Sequence, residues 1–159
     1  MRLAARQVLL SLSIFLVLIS PTLVGPLGDC AEYAQLGVPG HDGDLLRRPG
    51  HLLAHDPVRK TPIWVIERLT TEKATSTVVP REEGSFRINP DLVKRRRAGL
   101  SDYRNSGYDR GHMAPAADMR WDKQAMIECF CLSNMVSQVG KRMNQGIWKV
   151  LEELVRTWP

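Results

Sequence analysis

The stretch Asp109 to Asp118, DRGHMAPAAD, opens with an acid, a base, a glycine and a histidine in four consecutive positions. A neutral imidazole titrates near about pH 6.5, so His112 can accept a proton from water at physiological pH. The planar guanidinium of Arg110 is suited to binding a carboxylate or a phosphate. Gly111 permits unusual backbone angles and close approach by a ligand. One histidine in a turn is more often structural, but this combination indicates proton abstraction beside a bound anion.

A second set of polar residues recurs every four positions near the end of the chain, at Asn144, Trp148, Glu152 and Arg156. Helical spacing places them along one edge of an apolar stripe, which consists of Ile147, Val150, Leu151, Leu154, Val155 and Trp158. The helix would present an amide oxygen at its start and, about 12 Å further along, an acid followed by a cation. The simpler interpretation is an Asn144 N-cap and a Glu152–Arg156 surface pair.

The elements that position these residues follow from composition and periodicity. Residues 62–70 (PIWVIERLT) are dense in β-branched and aromatic side chains and predict a strand. Residues 71–107 are polar and broken by prolines and glycines, which predicts surface loops. Residues 121–128 predict a short helix, residues 129–133 alternate like a strand, and a loop is expected from Asn134 onward.

The length of 159 residues predicts one domain with its own core. Residues 1–25 carry two arginines followed by the apolar run Val8 to Ile19, which is short for a bilayer span and is typical of a secretory signal peptide. An N-terminal membrane anchor is the alternative. Residues 26–60 are rich in Gly, Pro, Asp and Arg and predict an irregular lead-in, so residues 61–159 form the folded domain.

Charge and cysteine content discriminate little between function classes. The formal net charge is +5, but two arginines lie in the leader, and the remaining excess would not by itself predict a nucleic-acid partner. The basic run 94–97 (KRRR) is either a solvated face or a contact to a phosphate backbone. Cys129 and Cys131 are interpreted as small buried apolar residues, with a disulfide from Cys30 to one of them as the alternative.

Several blocks together resemble the DNA/RNA non-specific endonuclease family, which includes endonuclease G and the secreted Serratia-type nucleases. The blocks are residues 109–115 (DRGHMAP), 121–126 (WDKQAM), 132–134 (LSN), 144–148 (NQGIW) and 151–152 (LE), and the lead-in 102–108 (DYRNSGY) resembles the endonuclease G branch. The resemblance covers roughly residues 62–158. It implies an α+β fold of the ββα-metal (His-Me finger) type, with an antiparallel sheet flanked by helices. Residues 61–159 would then be the N-terminal and catalytic part of a nuclease domain.

The resemblance also implies roles for individual residues. His112 is matched to the general base and Asn144 to the direct ligand of one Mg²⁺, for which Mn²⁺ could substitute. A single amide oxygen suits Mg²⁺ because that ion keeps most of its waters. Glu152 is matched to the acid that orients metal-bound water and pairs with Arg110.

Substrate contacts and supporting residues are implied in the same way. Arg156 and Arg87 are matched to phosphate-binding arginines, while Asp109 and Gly111 are expected to support the site. The implied reaction is in-line hydrolysis of DNA and RNA that leaves a 5′-phosphate, with little sequence preference. No small-molecule cofactor is expected, and a homodimer is one expectation for the assembly.

The sequence departs from the family pattern at three places. Ser137 stands where a proline is expected, and Cys131 stands where an aromatic residue is usual. Family domains continue with further strands beyond the catalytic helix, whereas this sequence stops at Pro159, so the fold is expected to be incomplete at the C-terminus. The alternative function is a catalytically impaired relative that binds nucleic acid or a protein partner. The expected location is periplasmic or extracellular, with the mitochondrial intermembrane space as the alternative.

Overall fold

The computed structural model describes residues 32–40 and 42–158, and it contains two antiparallel sheets with short helices between them. The first sheet has three strands in the order β1 (Asp44–Arg47), β2 (Leu52–Asp56) and β3 (Thr61–Ile66). The second pairs β4 (Asp109–His112) with β5 (Met135–Gln138). The helices are α1 (Thr71–Thr75), α2 (Lys123–Cys129), a π-helical segment (Gly140–Trp148) and α3 (Lys149–Arg156). The predicted α+β class is confirmed.

The strand predicted at residues 62–70 is confirmed as β3, and the helix predicted at residues 121–128 is confirmed as α2. Asp122 begins α2 because its side chain accepts a hydrogen bond from the Ala125 backbone N–H at 2.8 Å. Ala125 and Met126 on the inner face of α2 are fully buried. They belong to the largest apolar cluster, which also contains Val79, Ala114, Ala116, Met119, Cys129 and Phe130.

The prediction of an irregular lead-in over residues 26–60 was wrong, because the described part of this segment contains β1 and β2. The β2 strand is buried at all five positions, so its sequence LLAHD lacks the alternation of polar and apolar residues that marks a half-exposed strand. His55 is a buried polar residue of this strand, and its Nε2–H donates to the Arg96 carbonyl at 2.8 Å. Because its polar side chains are buried and glycine and proline flank it, the sequence did not predict this strand.

The predicted turn at Asp109–His112 is a strand, and the predicted strand at residues 129–133 is the end of α2 followed by a 3₁₀ turn at Leu132–Asn134. The real strand, β5, begins at Met135, where a loop was expected. Tertiary pairing explains the difference, since β5 forms by pairing with β4. Short strands of this kind depend on their partner more than on local composition.

The terminal helix begins at Gly140 and not at Asn144, so the prediction that Asn144 is its N-cap was wrong. A kink at Gly146 separates the π-helical segment from α3. The predicted apolar stripe is present, but its members are largely exposed, for example Ile147 at 78% and Leu154 at 51%. Within the described residues, this stripe is therefore not packed into a core.

Cys129 and Cys131 are buried free thiols, which confirms their interpretation as small apolar residues. Burial raises the pKa of Cys129 to about 12. The alternative disulfide partner, Cys30, lies outside the described residues, as does the predicted leader over residues 1–25. Among the helices of the described part, none is long and apolar enough to cross a membrane.

Candidate active site

The strand β4 fixes the spacing of the predicted site residues. Its ladder with β5 pairs Asp109 with Gln138 at one end and His112 with Met135 at the other. Gly111 lies beside Gln138, and a Cβ at this position would overlap the Gln138 side chain, which is 4% exposed. The close approach that Gly111 permits is thus made by a protein side chain, and not by a ligand as expected. Its φ also lies outside the left-handed region, in contrast to Gly107 just before the strand.

His112 ends β4 in an apolar environment and is 9% exposed. Its ring contacts Phe130 edge-on with 4.7 Å between the centroids, and Phe86 at 5.7 Å. Burial, assisted by the positive charge of Arg81, lowers the pKa of His112 to about 3. The imidazole is therefore neutral at physiological pH and can accept a proton. Its Nε2 is buried with no hydrogen-bond partner among the described residues.

Asn134 holds the chain immediately after His112. Its Oδ1 accepts a hydrogen bond from the Ala114 N–H at 2.9 Å, and its Nδ2 donates to the Ala114 and Cys129 carbonyls at 3.0 and 2.9 Å. The Met113 N–H donates in turn to the Asn134 carbonyl at 2.9 Å. Asn134 is fully buried, so these bonds satisfy polar groups that water does not reach. The sequence block LSN was recognised, but this function of its asparagine was not predicted.

Asp109 connects the start of β4 to the π-helical segment. Its Oδ2 accepts hydrogen bonds from Asn144 Nδ2 at 2.9 Å and from Gln145 Nε2 at 2.7 Å. These bonds lower the pKa of Asp109. Because Nδ2 of Asn144 donates to Asp109, Oδ1 is the amide atom that is able to bind a cation. Asp109 thus connects β4 to the segment that carries Asn144, and its supporting role in the site stays a prediction.

Arg156 lies on α3 and pairs with Asp118, at 2.8 Å between Nη1 and Oδ1. The predicted Glu152–Arg156 surface pair is therefore wrong, because the almost fully buried Asp118 carboxylate takes the guanidinium. The expected Glu152–Arg110 pair is also not formed within residues 32–40 and 42–158, where Arg110 lies over the Phe86 ring at 4.2 Å. Burial raises the pKa of the Glu152 carboxyl, and the charge of Arg156 opposes that shift.

Arg87 does not line the site, and its guanidinium donates to the Ser85 carbonyl and hydroxyl at 3.2 and 3.3 Å. Arg81 lies nearer the chemistry, since its charge acts on His112 and its guanidinium stacks on Phe130 at 5.0 Å. Sequence reasoning missed Arg81 because no motif or spacing distinguishes it from neighbouring arginines. The KRRR run is partly structural, with Arg96 paired to Asp44 at 2.6 Å.

A single cleft of about 1380 Å³ brings the remaining predicted residues together. His112, Arg110 and Asp109 line it from β4, while Asn144, Glu152 and Arg156 line it from the π-helical segment and α3. Its cationic side chains outnumber its acidic ones, and they are Arg81, Arg104, Arg110, Arg120, Lys149 and Arg156. The acids are Glu82, Asp109, Glu152 and Glu153. This arrangement suits an extended polyanion next to a neutral base.

The oxygen donors of the cleft fit a hard cation with few protein ligands. No group of three His, Cys, Asp or Glu side chains in the described part of the chain could enclose a metal ion. Mg²⁺ does not require such an enclosure, because it keeps several waters and accepts one or two protein oxygens. The amide oxygen of Asn144 is suitable, and Asp109 holds its side chain in place.

Comparisons with known proteins agree with this fold. Residues 30–159 match the model of the family described as DNA/RNA non-specific endonuclease. A nuclease of Syncephalastrum racemosum is 41% identical over 127 residues, which cover 79% of this chain and 40% of that protein. The mitochondrial endonuclease G of Homo sapiens is 39% identical over 126 residues, covering 79% of this chain and 41% of that protein. The chain belongs to the DNA/RNA non-specific endonuclease family.

The comparison with solved structures also finds a similarity to endonuclease G. A crystal structure of endonuclease G in complex with its inhibitor EndoGI superposes with a TM-score of 0.77 at 35% identity. The superposition covers 81% of this chain and 53% of that one. The matched region of the family begins at residue 30, so it includes β1 and β2 in addition to residues 61–159. The chain spans about two fifths of the length of the curated relatives it matches.

Proposed function

We propose that this chain is a metal-dependent nuclease that hydrolyses the phosphodiester backbone of DNA and RNA, with His112 as the general base. The observation that carries the proposal is the placement of His112 and Asn144 along one arginine-lined cleft. His112 supplies a neutral proton acceptor, and Asn144 supplies an oxygen ligand braced by Asp109. Family membership supports the same reaction class.

His112 would accept a proton from the attacking water. A pKa of about 3 makes the free imidazole a weak base. A bound phosphate would raise that pKa, because its negative charge favours the imidazolium and offsets the charge of Arg81. His112 is thus expected to be a stronger base when the substrate phosphate is bound.

Arg110 and Arg156 are proposed to bind the substrate phosphates, and Arg81, which lines the cleft, is proposed for the role that the resemblance implied for Arg87. Bound Mg²⁺ would stabilise negative charge on the phosphoryl oxygens and on the departing 3′ oxygen. Asn144 would hold it through Oδ1, with Glu152 orienting a water in the same cleft. Contacts to phosphate groups read neither the base nor the sugar, so we expect cleavage of both DNA and RNA with little sequence preference.

The relatives also suggest where the protein acts. Human endonuclease G and the matched nuclease of Saccharomyces cerevisiae are both described as mitochondrial. We therefore favour a mitochondrial location over export to the periplasm or the medium. A protein inhibitor is a further proposed partner, by analogy with the solved complex of endonuclease G, and a homodimer is the proposed assembly.

The activity is tested with supercoiled plasmid and with a single-stranded RNA, each incubated with the purified chain and Mg²⁺. Nicking of the plasmid and degradation of the RNA are expected, and an excess of EDTA should stop both. Mn²⁺ is expected to substitute for Mg²⁺. Equal cleavage with EDTA would contradict the proposal.

One observation favours a second candidate function, a catalytically impaired binder of nucleic acid. The helix that carries Glu152 exposes much of its apolar side. Less buried apolar surface therefore stabilises the position of this helix at the cleft. Binding to DNA that weakens steeply with salt, without cleavage in Mg²⁺ or Mn²⁺, would identify this function.

Replacing Asp109 with alanine is expected to raise the Mg²⁺ concentration needed for half-maximal cleavage. The variant loses the two hydrogen bonds that position Asn144 and Gln145. Loss of a residue that orients a metal ligand typically costs about 10–100-fold in metal affinity. The measurement is a Mg²⁺ titration of the initial cleavage rate.

The matched control is Asp102→Ala, which makes the same change in charge. Asp102 accepts a hydrogen bond from the Gly99 N–H and does not line the cleft. A similar shift in both variants would show that charge, and not the contact to Asn144, sets the requirement for Mg²⁺.

A further inference from the structure

Two carboxyl groups meet behind the cleft where the first sheet, the segment after the histidine and the terminal helix come together. Glu67 follows β3, and Asp118 lies in the 3₁₀ segment Ala116–Met119. Their side chains are hydrogen-bonded to each other. Asp118 is 3% exposed and also accepts the hydrogen bond from Arg156 at 2.8 Å. A carboxyl pair of this kind must hold a proton, since two carboxylates cannot donate to one another.

The charges around the pair favour one proton on Glu67. The ionisable groups that act on the pair are Arg156 and Glu152 from α3, and the Cys129 thiol of α2 lies within reach of both carboxyls. One guanidinium cannot compensate three ionised carboxylates. Burial, followed by the charge of Asp118, raises the pKa of Glu67 well above its ordinary value. Burial also raises the pKa of Asp118, but the hydrogen bond and the charge of Arg156 oppose that shift, which favours the proton on Glu67.

The pair links the two walls of the cleft. Asp118 lies six residues after His112, and its partner Arg156 lies one helical turn after Glu152. Glu67, which follows β3, interacts with Asp118 from the end of the first sheet. Arg156 has a side chain only 17% exposed, so its direction is set by Asp118 rather than by solvent. No sequence motif draws attention to Glu67.

We propose that Glu67 and Asp118 are positioning residues that share one proton and hold Arg156, and with it α3 and Glu152, against the histidine-bearing wall of the cleft. This inference rests on the proposed nuclease function for its activity readout. Asp118 orients the guanidinium, and Glu67 donates the hydrogen bond that orients Asp118. Loss of the proton would place a second negative charge beside Asp118 and loosen this arrangement.

The test compares Glu67→Gln with Glu67→Ala. The amide of the glutamine can donate to Asp118 as the protonated acid does, whereas alanine removes the donor. Glu67→Gln is expected to retain most of the wild-type kcat, and Glu67→Ala is expected to lose up to about 100-fold, the effect of misplacing a group far from the chemistry by about 1 Å. The wild-type rate should fall as pH rises through the raised pKa of Glu67, and Glu67→Gln should lack that fall. Equal losses in both variants would overturn the proposal.

A second readout does not depend on activity. A carboxyl whose pKa is raised in the folded state stabilises the fold fully below its unfolded pKa of about 4.5, and that stabilisation is lost as pH rises through the folded pKa. The unfolding free energy of wild type should therefore fall relative to Glu67→Gln as pH rises above 4.5. Glu72→Gln, at an exposed position of α1, is the matched control and should follow wild type.

The two readouts separate the two proposals. Diverging unfolding curves in a chain that cleaves nothing would support the shared proton and reject the nuclease function. Parallel curves for wild type and Glu67→Gln between pH 4 and 9, in a chain that cleaves well, would reject the shared proton and leave the nuclease function standing.

Discussion

Replacing His112 with alanine is expected to reduce the cleavage of plasmid and RNA by about 10²–10⁴-fold, the usual contribution of a positioned general base. The neutral imidazole lies on the cleft wall beside Arg110, and alanine removes the proton acceptor without adding a charge. The measurement is the initial rate at saturating Mg²⁺. Affinity for uncleaved DNA should change little, because the arginines that bind phosphate remain.

The control for this prediction is chemical rescue. Free imidazole added to His112→Ala should restore part of the activity, since the small cavity left between Phe86 and Phe130 opens onto the cleft wall. A circular dichroism melt shows whether the variant keeps its fold. Undiminished cleavage in a folded variant would reject His112 as the base.

The pH dependence of the same reaction follows from the environment of His112. Its pKa of about 3 lies below the ordinary value of 6.5, so acidification from pH 7 to pH 5 does not protonate the free enzyme at this position. The profile of kcat/KM, which reports the free enzyme, should therefore lack an acid limb near pH 6.5. The depressed pKa also makes the fold lose stability as pH falls below 6.5, because only the unfolded histidine gains a proton there.

Local patterns predicted the elements whose composition is distinctive. The strand β3 is rich in β-branched and aromatic residues, and α2 has a capping aspartate and an inward apolar face. The strands β1, β2 and β5 were missed because their signal lies in pairing. His51 and His55 are almost fully buried in and beside β2, and such burial of polar side chains is not visible in the sequence.

The candidate site, like the fold, could be predicted only in part from the sequence. The motif around His112 and the amide at Asn144 are separated by more than thirty residues in the sequence. Only the resemblance to a family predicted that they belong to the same site. The structure adds the reason, which is the pair of hydrogen bonds to Asp109. The sequence could not predict which of several carboxylates would pair with a given arginine. Helical spacing made Glu152 a partner for Arg156 in the simpler interpretation, but Arg156 pairs with the buried carboxylate of Asp118.

Replacing Asn134 with alanine is expected to lower the free energy of unfolding by about 3 kcal/mol or more, since each buried polar group left without a partner costs about 1–3 kcal/mol. The Ala114 N–H, the Ala114 carbonyl and the Cys129 carbonyl all lose their hydrogen bonds to Asn134. That loss is a large part of a total stability of about 5–15 kcal/mol. The measurement is the midpoint of urea unfolding.

Asn144→Ala is the matched control for stability, because it removes the same amide from a partly buried position with one hydrogen bond to Asp109. Its effect on unfolding should be several-fold smaller than that of Asn134→Ala, while its effect on cleavage should be large. Equal destabilisation by the two substitutions would contradict the assignment of Asn134 as the residue that fixes the chain after His112. The two asparagines thus separate the stability of the site from its chemistry, since one holds the backbone behind the histidine and the other presents an oxygen to the cleft.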